Sequence, residues 1–309
     1  MKFAALGRTS MLYDAVEACT NQGHECVLVG TCPAAPEYTR DEKDFEELAR
    51  ELSCPFFCDP AIGKPEYVGM MRDSGAEVAV SMNWLTVMGS EVLHLFRHGV
   101  VNAHAGDLPR YRGNACPNWA IINGEDRVVL TLHLMREELD AGPILLQRSF
   151  PLSEKTYIGD FYRFMETAVP GMFAEVLDGL ENQGITPRPQ PADPALSLRC
   201  FPRRPEDSRL DFRLDAGYLC RLVRAGSVPF SGAYADFEGE RLIVWRARAG
   251  ELDYPWLGVP GQVAEIRRDT GEVAVLTGKG VLILEEVERQ DNGRVSPAQV
   301  IRSTRTRLG

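Results

Sequence analysis

The 309-residue chain lacks the signatures of the commonest ligand and compartment classes. Gly7 stands where a dinucleotide fingerprint would begin, but Gly7-Arg8-Thr9-Ser10 has none of the later glycines, and no Walker A sequence occurs anywhere, so nicotinamide and ATP have no support. No apolar run approaches the roughly 18 residues that span a bilayer. The short apolar run before Gly7, Phe3 to Leu6, is also too brief for a signal-peptide core. The expectation is a soluble, unprocessed, cytoplasmic chain without a membrane partner. A basic surplus is missing too: a net charge of −10 opposes a nonspecific hold on phosphate backbones, which makes nucleic acid an unfavoured partner. The eight cysteines (19, 26, 32, 54, 58, 116, 200, 220) are scattered through a chain too long to depend on disulfides, and read as reduced thiols. Cys54 and Cys58 form a C-x3-C pair with no second pair to complete a zinc set. His94 and His98, four apart on an expected helix, lack the intervening Glu of a zincin, and no metal is expected.

What is present is an ordinary globular composition, 44% hydrophobic and 25% charged, in a length that suits two cores. The first half alternates short apolar runs with amphipathic stretches, which predicts an α/β fold: an open, mostly parallel Rossmann-like sheet with helices on both faces. Strands are expected at Lys2 to Leu6, Glu25 to Val29, Pro55 to Cys58, Glu77 to Ser81 and Val100 to Asn102. Helices are expected up to Asn21, over Asp44 to Leu52, over Pro65 to Asp73 and over Val87 to Phe96. Residues 184–197 hold four prolines and read as a linker. Beyond Cys200 a helix at Ala216 to Ala225 precedes five short alternating runs between Ala233 and Val287, the pattern of a smaller β-rich, barrel-like domain. The expected organisation is a catalytic domain over 1–184, a linker over 185–199 and a C-terminal domain over 200–309.

Chemistry concentrates between Val101 and Gly142. Asn102 and His104 are two apart, so at the C-terminal end of a strand they project to one side, where open parallel sheets bind ligands. A carboxamide N–H can stabilise a developing oxyanion. An imidazole titrates near neutrality and can move protons. Asp140, at the end of the next expected strand, can orient the imidazole and favour its cationic form, raising the pKa of His104. Together they suit acyl transfer onto an amine, although a lone Asn, Asp or His beside a turn more often serves the local backbone.

The Asn102-x-His104 strand end, the Leu108 to Gly113 loop, Asn118-Trp119 and the Thr131 to Pro143 stretch resemble the 10-formyltetrahydrofolate-dependent formyltransferases. The resemblance implies that Asn102 steadies the oxyanion, His104 is the acid–base residue and Asp140 sustains its pKa, with 10-formyltetrahydrofolate as co-substrate. It also implies a pterin slot at Met82, Trp84, Leu85 and Met88, with Arg136, Glu137, Glu138 and Leu139 as further folate contacts. Residues beyond 200 resemble the C-terminal barrel of methionyl-tRNA and sugar formyltransferases. The chain departs from the family at Arg112-Gly113-Asn114, where sugar-acting relatives often carry Arg-Gly-Arg, and at Gly106-Asp107-Leu108-Pro109, which replaces the usual Ser-Leu-Leu-Pro. Tyr111 and Arg112 are expected to shape the loop.

Two acceptors compete: a nucleotide-linked amino sugar and the methionine on initiator tRNA. The tRNA enzymes typically carry a basic loop after their second strand, whereas residues 32–47 here hold Glu37, Asp41, Glu42, Asp44, Glu46 and Glu47, with Glu51 just beyond, against Arg40 and Lys43. Such a segment repels phosphates, which favours the small sugar acceptor. Hydrolysis of the folate donor by water is the further alternative, and a homodimer is compatible with the sequence.

Overall fold

A computed structural model describes residues 1–36, 38–289 and 293–309, so Glu37 lies outside the described residues. The chain forms β1 (Lys2–Gly7), α1 (Ser10–Asn21), β2 (Glu25–Thr31), α2 (Glu42–Glu51), β3 (Phe56–Cys58), α3 (Pro65–Asp73), β4 (Val78–Met82), α4 (Ser90–Leu93) and β5 (Val100–His104). Then come β6 (Tyr111–Gly113), α5 (Cys116–Asn123), β7 (Arg127–Leu134), β8 (Ile144–Pro151), α6 (Ile158–Glu181) and β9 (Leu198–Cys200). The remainder is α7 (Ala216–Gly226), β10 (Ala233–Phe237), β11 (Glu240–Gly250), β12 (Val263–Ile266), β13 (Val273–Leu276), β14 (Val281–Arg289), β15 (Arg294–Val295) and α8 (Pro297–Val300).

Seven strands make the first sheet, in the order β3-β2-β1-β4-β5-β7-β8. From β3 to β5 all neighbours are parallel, and β7 adds antiparallel to β5. Phe3 to Leu6 of β1 and Val78 to Val80 of β4 are fully buried, as expected of parallel strands covered on both faces. α1 turns Met11, Leu12, Ala15, Val16 and Cys19 inward on a 3.6-residue period. Asp41 caps α2 in a reciprocal box with Asp44, so two acidic side chains of the 32–47 segment are spent on the helix end.

The helix expected over Val87 to Phe96 is one turn only, Ser90–Leu93. Gly89 starts it in extended geometry and His94 already leaves helical geometry. His94 and His98 therefore do not share a helix face, because the face itself is absent. Spatial grouping interleaves the chain: Met1–Gly113, Val129–Phe150 and Tyr162–Cys200 form one compact unit, and Asn114–Val128, Pro151–Phe161 and Phe201–Gly309 the other. The proline-rich stretch stays in the first unit, where Arg188 exchanges backbone hydrogen bonds with Ile144 and β9 pairs in parallel with β6.

The second unit carries an antiparallel sheet, β10-β11-β14-β13-β12, with β15 on β14. Its open ends are joined by the residues after α8. Leu308 donates its N–H to the Gly261 carbonyl and Val263, at the start of β12, donates its N–H to the Thr306 carbonyl, while Gly309 exchanges two backbone hydrogen bonds with Asp236 of β10. The ring of strands thus has few free edges.

Candidate active site

Asn102 and His104 lie at the C-terminal end of β5, on one side of the sheet, and the register brings β7 against them. Asn102 pairs with His133 and His104 with Thr131. Cross-strand partners in an antiparallel ladder sit close enough for direct side-chain contact, so this register decides what each functional group touches. Thr131 Oγ1 donates to the Gly106 carbonyl at 2.8 Å, and Gln147 Nε2 donates to Thr131 Oγ1 at 3.1 Å and to the Leu108 carbonyl at 3.2 Å. The loop after β5 is thereby tied to β7 and β8.

His104 is buried, and its Nε2 lies 2.7 Å from the carbonyl of Tyr111. A carbonyl only accepts, so this nitrogen carries a proton. Nδ1 faces Asp140 Oδ2 at 3.5 Å. Both ring nitrogens thus face acceptors. Gly106 is what permits the contact, because a Cβ there would collide with both Nε2 of His104 and the Tyr111 carbonyl. Tyr111 is buried and contributes its backbone, in keeping with a loop-shaping role.

Asp140 sits in the left-handed region at φ 49°, which short polar side chains tolerate better than most. Its Oδ2 accepts the Gly113 N–H at 2.8 Å, and its Oδ1 is 3.7 Å from His133 Nε2. The tight turn around it depends on Gly142, where any Cβ would overlap the Leu134 carbonyl. Gln190, from the proline-rich stretch, donates Nε2 to the carbonyls of Asp140 (2.8 Å) and Gly142 (2.7 Å) and accepts from Arg112 Nη2 (2.9 Å). Arg112 also approaches Glu138 at 3.6 Å.

His133 went without a role in the sequence reading although it stands in the Thr-x-His motif. It is 1% exposed, and burial first, then the neighbouring His104 charge, pushes its pKa down to about 4. Asp140 and the Leu134 carbonyl oppose that shift, and Arg112 adds to it. Asn102 Nδ2 lies 3.3 Å from His133 Nε2, and His133 Nδ1 lies 3.0 Å from the Leu134 carbonyl. Period-two spacing from Thr131 was the available signal. The cross-strand register that gives it meaning was not.

Residues 1–177 match the family model described as Formyl transferase, and residues 203–305 match that of the Formyl transferase, C-terminal domain. The chain belongs to the formyl transferase family. Among its relatives, a methionyl-tRNA formyltransferase of Heliobacterium modesticaldum is 31% identical over 297 residues, covering 93% of this chain and 92% of that protein. Among solved structures, the N-formyltransferase of Helicobacter canadensis, in complex with folinic acid and dTDP-3-aminofucose, superposes with a TM-score of 0.69 at 13% identity, covering 93% of this chain and all of that one. HypX from Aquifex aeolicus, in complex with tetrahydrofolic acid, gives a TM-score of 0.58 at 20% identity over 97% of this chain. The chain spans about half of HypX, 46% of its length.

In this formyl transferase, the residues named for the pterin slot divide by exposure. Met82 and Met88 are buried: Met82 Sδ accepts a weak hydrogen bond from Thr9 at 3.8 Å, and Met88 belongs to the core cluster with Phe57, Leu93 and Phe96. Trp84 packs on that cluster and donates Nε1 to Thr86 at 3.2 Å, while Leu85 is 51% exposed. Arg136, Glu137 and Glu138 line a cleft of about 280 Å³ with Leu93, His94 and Met135, and Leu139 lies exposed beside them in sequence. A larger cavity of about 570 Å³ lies in the second unit, among Arg209, Asp211, Phe212, Arg213 and Arg307. Arg209 and Arg213 are already paired with Asp236 and Asp211, and no histidine or cysteine lines that cavity.

The eight cysteines are unbridged. Among the described residues, the group able to converge on a metal ion is His24, Asp178 and Glu181, which includes neither Cys54 and Cys58 nor His94 and His98.

Proposed function

We propose that this chain transfers the formyl group of 10-formyltetrahydrofolate to the primary amine of a nucleotide-linked amino sugar. The observation that carries the chemistry is the convergence of Asn102, His104 and Asp140 at one strand end, each held by a named partner. 10-Formyltetrahydrofolate, when bound, supplies an electrophilic formyl carbon and a nitrogen leaving group. The cleft lined by Leu93, Met135 and Arg136 to Glu138 combines apolar side chains with carboxylates, a lining that suits its pterin.

Asn102 donates from Nδ2 to the formyl oxygen as the acceptor amine adds and negative charge grows there. His104 gives its Nε2 proton to the departing folate nitrogen, which leaves the Tyr111 carbonyl free for that moment. It then takes a proton from the acceptor nitrogen at the same Nε2, so the ring ends as it began. Asp140 stays ionised and holds Nδ1 throughout. One carbon–nitrogen bond forms, one breaks, and no proton is lost.

The acceptor assignment rests on charge. Arg40 is drawn back onto Tyr13 at 4.2 Å and paired with Asp44 at 3.1 Å, and Glu42 accepts the Ala34 N–H, so the 32–47 segment offers little cation to a phosphate backbone. A second reading, formylation of methionyl-tRNA, is favoured by the 31% identity to a methionyl-tRNA formyltransferase over nearly the whole chain. The test is release of tetrahydrofolate from 10-formyltetrahydrofolate with amino-sugar nucleotides, with methionyl-tRNA, or with no acceptor. Release only with a sugar nucleotide is expected. Release only with charged tRNA moves the acceptor to the second reading, and equal release without acceptor makes the chain a hydrolase.

A further inference from the structure

The proposed catalytic trio leaves Asn102 with a problem. A carboxamide on a strand end rotates about its last bond, and an oxyanion donor is useful only when its N–H is already aimed. Asn102 is half-buried, and the partner within reach of its Nδ2 is His133 Nε2 at 3.3 Å. On the other side of the ring, Nδ1 lies 3.0 Å from the Leu134 carbonyl, which can only accept. That bond places the single proton of a neutral imidazole on Nδ1 and leaves Nε2 as a lone pair. An Nε2 lone pair takes a hydrogen bond from Asn102 Nδ2 and refuses one from the amide oxygen, so the ring selects one of the two amide orientations.

We propose that His133 is a positioning residue: a neutral Nδ1–H imidazole whose Nε2 fixes the Asn102 carboxamide so that its second N–H meets the formyl oxygen. This inference deepens the formyl-transfer reading and rests on it for its kinetic consequences. It also accounts for the geometry at Asp140, whose Oδ1 is 3.7 Å from His133 Nε2 while its Oδ2 serves His104 and Gly113. A charged His133 would compete with His104 for the same carboxylate. The neutral ring leaves that charge to His104. The groups facing His133 are Asn102 and His104 from β5, Asp140 from the following turn and Arg112 from β6, and the two cationic neighbours both act against its protonation.

Two measurements decide the matter. Nitrogen-15 NMR of histidine-labelled protein reads the tautomer without any substrate. His133 is expected as Nδ1–H from pH 6 to 8, with an Nε2 resonance that moves in Asn102→Ala as the hydrogen bond is lost. An Nε2–H tautomer, or an Nε2 signal indifferent to Asn102→Ala, overturns the proposal. In turnover, His133→Gln, whose amide oxygen can accept from Asn102, is expected to keep kcat within about threefold. His133→Leu is expected to lower kcat about five- to tenfold, the scale of one hydrogen bond, with KM for 10-formyltetrahydrofolate unchanged. In an Asn102→Ala background His133→Leu should cost nothing more. Full kcat in His133→Leu, or an equal loss in both variants, overturns the positioning role. A wild-type chain that releases no tetrahydrofolate under any condition refutes the formyl-transfer reading instead, and the NMR result then stands or falls by itself.

Discussion

His24 and His104 are both buried imidazoles set against carboxylates, yet their surroundings differ in kind. His24, in the turn before β2, has Nε2 3.1 Å from Asp178 and Nδ1 3.7 Å from Glu181 and 3.1 Å from the Met1 amine. Asp178 and Glu181 are 49% and 46% exposed, so water and salt screen them, and the cluster ties the end of α6 to the start of β2. Asp140 is 12% exposed and already bonded to a backbone N–H, so its field on His104 is much less screened. His104 also shares a strand face with the carboxamide of Asn102, whereas His24 lies in a turn, so Gln22, two residues before it, shares no strand face with it. The exposed acids make His24 a fastening, while the shielded Asp140 and the Asn102 carboxamide on its face suit His104 to the proton transfers of the proposed mechanism.

The widest separation between the two is expected from His104→Ala, which should lower kcat by about 10²- to 10⁴-fold, the usual contribution of general acid–base catalysis, in a steady-state tetrahydrofolate-release assay. Gly106→Ala tests the same ring without replacing it. The added methyl drives His104 Nε2 off the Tyr111 carbonyl, and kcat should fall nearly as far while the circular dichroism spectrum stays that of the parent. Asn102→Ala is expected to cost about a hundredfold in kcat, the loss of one oxyanion donor, with folate affinity by titration changed much less.

A smaller effect separates the histidines by pH. The folded-state pKa of His133 is about 4 against an ordinary histidine value near 6.5. Its stabilisation is therefore complete above about pH 6.5 and declines as the pH falls towards 4, because the unfolded chain binds the proton first. Urea unfolding midpoints of the wild type should drop across that window more steeply than those of His133→Gln. The least effect on activity is expected from His24→Ala, which should destabilise the chain by about 1 to 3 kcal/mol in urea and leave turnover per folded molecule as it was. A tenfold loss of kcat there would erase the contrast between the two clusters.

Much of this was legible before any coordinates. The alternation of apolar runs located β1 to β5 and the strands after Ala233, because buried parallel strands and half-buried antiparallel ones carry distinct periods. Asn102, His104 and Asp140 were singled out by residue type and spacing together with the resemblance to the formyltransferases, and the fold brings His104 and Asp140 to within 3.5 Å. The helix expected over Val87 to Phe96 failed because Gly89 and the turn after Leu93 leave a single turn, and apolar content there reflects core packing of Met88, Val92 and Phe96. Residues 184–197 read as a linker from their prolines, but proline forbids helix and inner strand without forbidding a side chain such as Gln190 from reaching the Asp140 turn.

The chain by itself determined which chemical groups exist and which face of β5 they share, since side-chain alternation along a strand follows from local geometry alone. Only the tertiary structure decided that β7 pairs antiparallel to β5 in the register that sets His133 against Asn102, and that Gly106 lets His104 meet the Tyr111 carbonyl. Register is settled by how two distant segments share a core, and no local propensity encodes it.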